Sequence, residues 1–78
     1  MATVRIALAN LRYPHSPEDS VARVERAIAE AGAVRADLVC FPECYVPGYR
    51  GLAHAPPAPD PGFLDRAWTA AGTAAARA

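Results

Sequence analysis

From Thr3 to Ala9 the chain alternates, with Val4, Ile6 and Leu8 on one side and Arg5, Ala7 and Ala9 on the other. A period of two predicts a strand. Tyr13-Pro14-His15 interrupts it, and Ser16-Pro17-Glu18-Asp19 then has the chemistry of a helix start. It offers a hydroxyl cap, a proline at the first helical position and two acids against the positive end of the helix dipole. Val21, Val24, Ile28, Ala31 and Val34 recur every three or four residues while Arg23, Arg26 and Glu30 fall elsewhere. This spacing predicts an amphipathic helix running through Gly32 to about Arg35, with one face on a sheet.

Leu38-Val39-Cys40-Phe41 is an unbroken apolar run, as expected of a strand buried on both faces in a parallel sheet. Pro42 has no N–H to donate and ends that strand. Residues 43–51 then read as a shaped loop, with Val46-Pro47-Gly48-Tyr49 placing proline and glycine where a type II turn uses them. Residues 53–62 are proline-rich and predict an extended connector. Asp60-Pro61 repeats the cap-then-proline start, and Phe63, Leu64, Ala67, Trp68, Ala71 and Ala75 give a second helix a wide apolar face. Trp68, four residues from Leu64, is expected to pack on that face. The fold class is therefore α/β, in the order β-α-β-loop-α, within a single unit spanning residues 1–78.

Composition narrows the function classes. Eight basic residues balance eight acidic ones, and the arginines are dispersed, so the electrostatic footprint of a nucleic-acid binder is missing. No run is long and apolar enough for a membrane span, and no basic region followed by an apolar stretch marks a leader, so a cytoplasmic protein is expected. All eight basic residues are arginine, which excludes a lysine base, Schiff-base amine or lysine point charge within these 78 residues. A chain of this length buries a small core, on the order of 3–5 kcal/mol, so marginal stability or self-association is expected.

The strongest chemical candidate is Glu43, the first charged side chain past the second strand. In parallel α/β sheets ligands gather beyond the carboxyl ends of strands. A carboxylate set among Phe41, Cys44 and Tyr45 is expected to be partly desolvated and aimed into the concavity at the sheet's end, as suits a general base. The plain alternative is a solvated loop glutamate. Cys40 and Cys44 with His15 and His54 hint at zinc, but the cysteines sit around a proline turn rather than in a knuckle, and core thiols are the expected reading. No metal and no cofactor are expected. Tyr49 and Arg50 are candidates for lining a substrate entrance, against the plainer roles of turn packing and solvation.

The segment Asp37-Leu38-Val39-Cys40-Phe41-Pro42-Glu43, followed by Tyr45-Val46-Pro47-Gly48-Tyr49, resembles the first catalytic segment of the nitrilase, or carbon–nitrogen hydrolase, superfamily. Val4 to Asn10 is similar to that family's opening strand, and the first amphipathic helix stands where the family has one. One departure is Gly32-Ala33-Val34-Arg35-Ala36-Asp37, where members usually pass from helix to strand by a shorter turn. The resemblance implies the beginning of a four-layer αββα sandwich, incomplete in this chain. It further implies a site with a glutamate general base, a lysine that stabilises the tetrahedral intermediate and a cysteine that attacks a nitrile or amide carbon. Glu43 matches the first. Cys40 and Cys44 fall inside the glutamate segment and do not match the nucleophile.

Two functions of different class follow. In one, the chain is the N-terminal portion of a carbon–nitrogen hydrolase for small nitriles or amides, inactive by itself for want of the lysine and the nucleophile. In the other it is a self-standing α/β binding or interaction module. Exposed apolar surface discriminates between them: a portion of a sandwich leaves Val4, Ile6, Leu8 and Trp68 uncovered, whereas a module covers them or offers one patch to a partner.

Overall fold

In the computed structural model, residues 3–48 and 61–78 are described. Their elements are β1 (Ile6–Leu8), α1 (Pro17–Ala33), β2 (Leu38–Cys40) and α2 (Pro61–Arg77). The two strands pair in parallel, with Ile6 opposite Leu38, Ala7 opposite Val39 and Leu8 opposite Cys40. Both are shorter than the sequence pattern predicts, although the ladder continues past β1 through Ala9 N–H to the Cys40 carbonyl at 2.8 Å. At the other end the Asp37 N–H donates to the Arg5 carbonyl, and the Asp37 carboxylate accepts the Arg5 N–H. The Arg5 guanidinium reaches the Val34 carbonyl at 2.6 Å, tying β1 to the end of α1.

The start of α1 is built as its sequence predicts. Ser16 is the cap, and its hydroxyl accepts the Asp19 N–H at 3.0 Å; Pro17 follows as the first helical residue. The Asp19 carboxylate in turn accepts the His15 N–H, so cap and third residue satisfy donors on both sides of the helix start. The other end corrects the expectation of a helix to Arg35. Helix α1 stops at Ala33, and Arg35 enters the left-handed region at φ 59°. The Ala36 N–H returns to the Ala31 carbonyl and the Arg35 N–H to that of Gly32. This pair of bonds is the Schellman closure, with arginine in the position usually given to glycine. Gly32 lies inside the helix, where Ala78 approaches closely: a Cβ on Gly32 would lie 2.5 Å from the Ala78 Cβ.

Helix α1 lies on the Ala7 and Val39 side of the sheet. Val24 and Ile28, with Tyr45 from the loop after β2, form the buried cluster, and Leu11, Val39, Phe41, Val46, Ala71 and Ala74 pack against it. Helix α2 runs beside α1 in the same direction, with Leu64 near Val21 at one end and Ala78 against Gly32 at the other. It docks through small residues, Ala71 and Ala74, and buries Phe63.

Three expectations need correction. The second strand is not buried on both faces: Leu38 and Cys40 are exposed, because among the described residues one helical layer covers only the Val39 side. Trp68 is not buried; it is 81% exposed and, with Leu64, borders an open groove against Val21 and Val24, while α2 docks through Ala71 and Ala74. Gly62, assigned to the connector, is the second residue of α2, whose first is Pro61, as the cap-then-proline start predicts. The rest of that connector, Asp60 as a cap, and Tyr49, Arg50 and His54 lie outside the described residues. Val4, Ile6, Leu8 and Leu38 together form an uncovered apolar sheet face, Leu8 being 78% exposed.

The strained helix end gives a direct test. Arg35→Gly removes the left-handed penalty of a side chain, about 1 kcal/mol, and is expected to raise the thermal midpoint by roughly 4–8 °C in a circular dichroism melt. An unchanged or lower midpoint would show that the Arg35 side chain compensates for its backbone.

Candidate functional site

The chain leaves β2 at Cys40, passes Phe41 and Pro42, and turns through residues 43–47. Pro42 does end the ladder, and Glu43 stands at the first position of the turn. The Tyr45 N–H closes back on the Pro42 carbonyl at 3.1 Å, and the Gly48 N–H on that of Cys44 at 3.2 Å. Cys44 takes a left-handed conformation at φ 52°, and Gly48 sits at φ 136°. Gly48 also lies against Tyr13, whose hydroxyl would be 3.0 Å from a Cβ placed there. The backbone conformation demands glycine at this position. The Val46–Pro47 peptide is cis. The fourth residue of the expected type II turn, Tyr49, is outside the described residues.

Tyr45 is the best-anchored side chain of the turn. It is 6% exposed, packs with Val24 and Ile28, and its hydroxyl donates to the Arg12 carbonyl at 2.8 Å. Phe41 stacks on it with ring centroids 6.5 Å apart. Burial pushes the Tyr45 phenol above its ordinary range, with Arg23 opposing and Asp19 reinforcing that shift. Asp19 is held below its ordinary 3.8, first by the His15 N–H and then by the Arg23 guanidinium, which donates to it at 2.7 Å. The first turns of α1 thus place an ion pair beside the phenol.

Glu43 itself is exposed and forms no hydrogen bond or ion pair with a described residue. The expected aromatic wall does not enclose it, because the Tyr45 ring turns into the core and Cys44 is exposed. Cys40 and Cys44 are both exposed free thiols rather than core residues. Cys40 shares the uncovered sheet face with Leu38, and Cys44 lies on the outside of the turn. Among the described residues no group of three or more metal-ligating side chains occurs, and no helix is long and apolar enough to cross a membrane.

A family model for carbon-nitrogen hydrolases matches residues 5–77, nearly the whole chain. The chain belongs to the carbon–nitrogen hydrolase family. No curated relative and no solved structure matches it. The match runs from β1 through α2, so strand, crossover helix, second strand, the Glu43 turn and the second helix all lie within the family's pattern. The matched span includes residues 37–49. Sequence reasoning missed the Arg12 carbonyl, which no side-chain pattern can signal, and the tie between Asp19 and Arg23, which their spacing of four did offer.

The Asp19 cluster sets a pH dependence. A carboxyl whose folded value is depressed contributes stability that is present above its unfolded value and lost as pH falls through the folded one. Between those values the unfolded chain binds more protons, so stability rises with pH. Stability measured by denaturant titration is therefore expected to fall as pH drops below about 3.8, and Asp19→Asn is expected to flatten that slope. An identical slope in the variant would assign the loss to other carboxylates.

Proposed function

We propose that this chain supplies the general base, Glu43, of a carbon–nitrogen hydrolase acting on non-peptide C–N bonds of small nitriles or amides. The observation that carries the reading is the position of Glu43 in the first turn past the carboxyl end of a parallel strand, inside the segment that the family model matches. In this reading Glu43 takes a proton from the attacking thiol, passes it to the substrate nitrogen, and, ionised again, takes one from the hydrolytic water. A cationic group and a cysteine from outside the 37–49 segment supply charge stabilisation and the nucleophile. The chain contains no lysine, and its two thiols sit three residues before and one residue after position 43. Glu43 therefore has neither a lysine nor a suitably separate nucleophile within these 78 residues, and in this reading the lone chain does not turn over substrate.

The uncovered face of Val4, Ile6, Leu8 and Leu38, together with exposed Trp68, supports a segment that packs against further layers rather than a self-standing binding module. Without those layers the same face drives self-association. A reducing cytoplasmic setting suits two exposed thiols. Tyr49 is assigned to the substrate entrance on sequence alone.

Purified chain is expected to release no ammonia from nitriles or amides above the buffer rate. Joined to the downstream part of a carbon–nitrogen hydrolase that carries a lysine and a nucleophilic cysteine, it is expected to turn over. There Glu43→Gln lowers kcat about 10²–10⁴-fold with little change in KM. Full turnover in that variant removes the base assignment, and activity of the lone chain that disappears in Glu43→Gln removes the requirement for other segments.

A further inference from the structure

We infer that Tyr45 is the positioning residue for Glu43: its buried ring and its hydroxyl's bond to the Arg12 carbonyl fix the turn that carries the carboxylate. The inference rests on the reading of Glu43 as the base. Glu43 has no side-chain tether among the described residues, so its placement is inherited from its backbone. That backbone is fastened on both sides. Two residues before it, half-buried Phe41 packs against the core; two residues after it, Tyr45 is part of that core and stacks on Phe41. The Tyr45 N–H closes the turn on Pro42, leaving Glu43 and Cys44 as the two residues in between.

The ring alone would give burial without register. A phenylalanine fills the same space but offers the Arg12 carbonyl no donor, whereas the tyrosine hydroxyl meets it at 2.8 Å and couples the turn to the connection between β1 and α1, 33 residues upstream. A hydrogen bond is directional and a hydrophobic contact is not. Asp19 and Arg23 flank the phenol from α1 and hold each other at 2.7 Å, which gives its polar end a fixed electrostatic setting. A general base has to be held within about 0.5 Å of its productive position, and a misplacement of about 1 Å costs on the order of 10²-fold in rate.

The test uses nitrogen-15 relaxation on the 78-residue chain, comparing backbone order at Glu43 and Cys44 with that of α1. In the wild type those two residues are expected near the rigid value of about 0.85; in Tyr45→Phe they fall below about 0.6 while α1 is unchanged. Unchanged order at Glu43 in the variant overturns the proposal. So does an equal loss in Val24→Ala, which thins the same core but keeps the hydroxyl, because the effect would then be one of general stability. If Tyr45→Phe does not fold, the wild-type hydroxyl proton decides: slow exchange with water supports the anchor, and exchange at the bulk rate overturns it. These readouts concern order and not turnover. They can fail with the chemistry of Glu43 intact, and a Glu43→Gln variant that keeps full activity in the joined protein overturns the base while leaving the anchor standing.

Discussion

Everything in this molecule depends on one apolar stripe. Val24 and Ile28 of α1 meet Val39 of the sheet and Tyr45 of the following turn, and α2 docks on the same cluster through Ala71 and Ala74. A βαβ crossover needs such a stripe, because two parallel strands cannot be joined without a connection that packs on one of their faces. Here the stripe also determines which face is covered. The helix lies over Ala7 and Val39, and Val4, Ile6, Leu8 and Leu38 fall on the far side. The covered side holds the turn of Glu43 in place through Tyr45, and the uncovered side holds the apolar surface that a further layer would bury.

Local chemistry made much of this legible. Ser16, Pro17 and Asp19 specify the start of α1 within the span of one turn, and the structure realises each of their roles. Leu38 to Phe41 has the composition of a strand, and Pro42 cannot prolong it. The end of α1 was harder to read. Val34 continues the apolar period, yet the helix closes at Ala33 through bonds from Arg35 and Ala36 that belong to the backbone, with an arginine where glycine is usual. Periodicity reports where a helix would bury its side chains. It does not report where the chain must turn to bring Asp37 onto Arg5.

Burial was misread wherever it depended on a layer beyond the neighbouring element. A continuous apolar run indicates what a strand is suited to, and Leu38 and Cys40 suit a covered sheet, but one helix covers only one face. Trp68 fails in the same way: its spacing from Leu64 is right for a packed helix face, while the alanines of α2 make the contact with α1. The position of Glu43 was legible because proline and strand end define it. Its anchor was not, since the acceptor for Tyr45 is a main-chain carbonyl 33 residues away. The family match covers residues 5–77, from β1 through α2.

Among the described residues one face of the sheet is apolar and unlayered, so that the 78 residues alone hold only a small core. Native-state hydrogen exchange on a dilute, monomeric sample measures this directly. The expected result is that no backbone amide of β1, β2 or α1 is protected by more than about 3–5 kcal/mol, with the strand amides at the low end. Slow, cooperative protection well above that in a sample shown to be monomeric would mean that the chain covers its own apolar faces, and would contradict it.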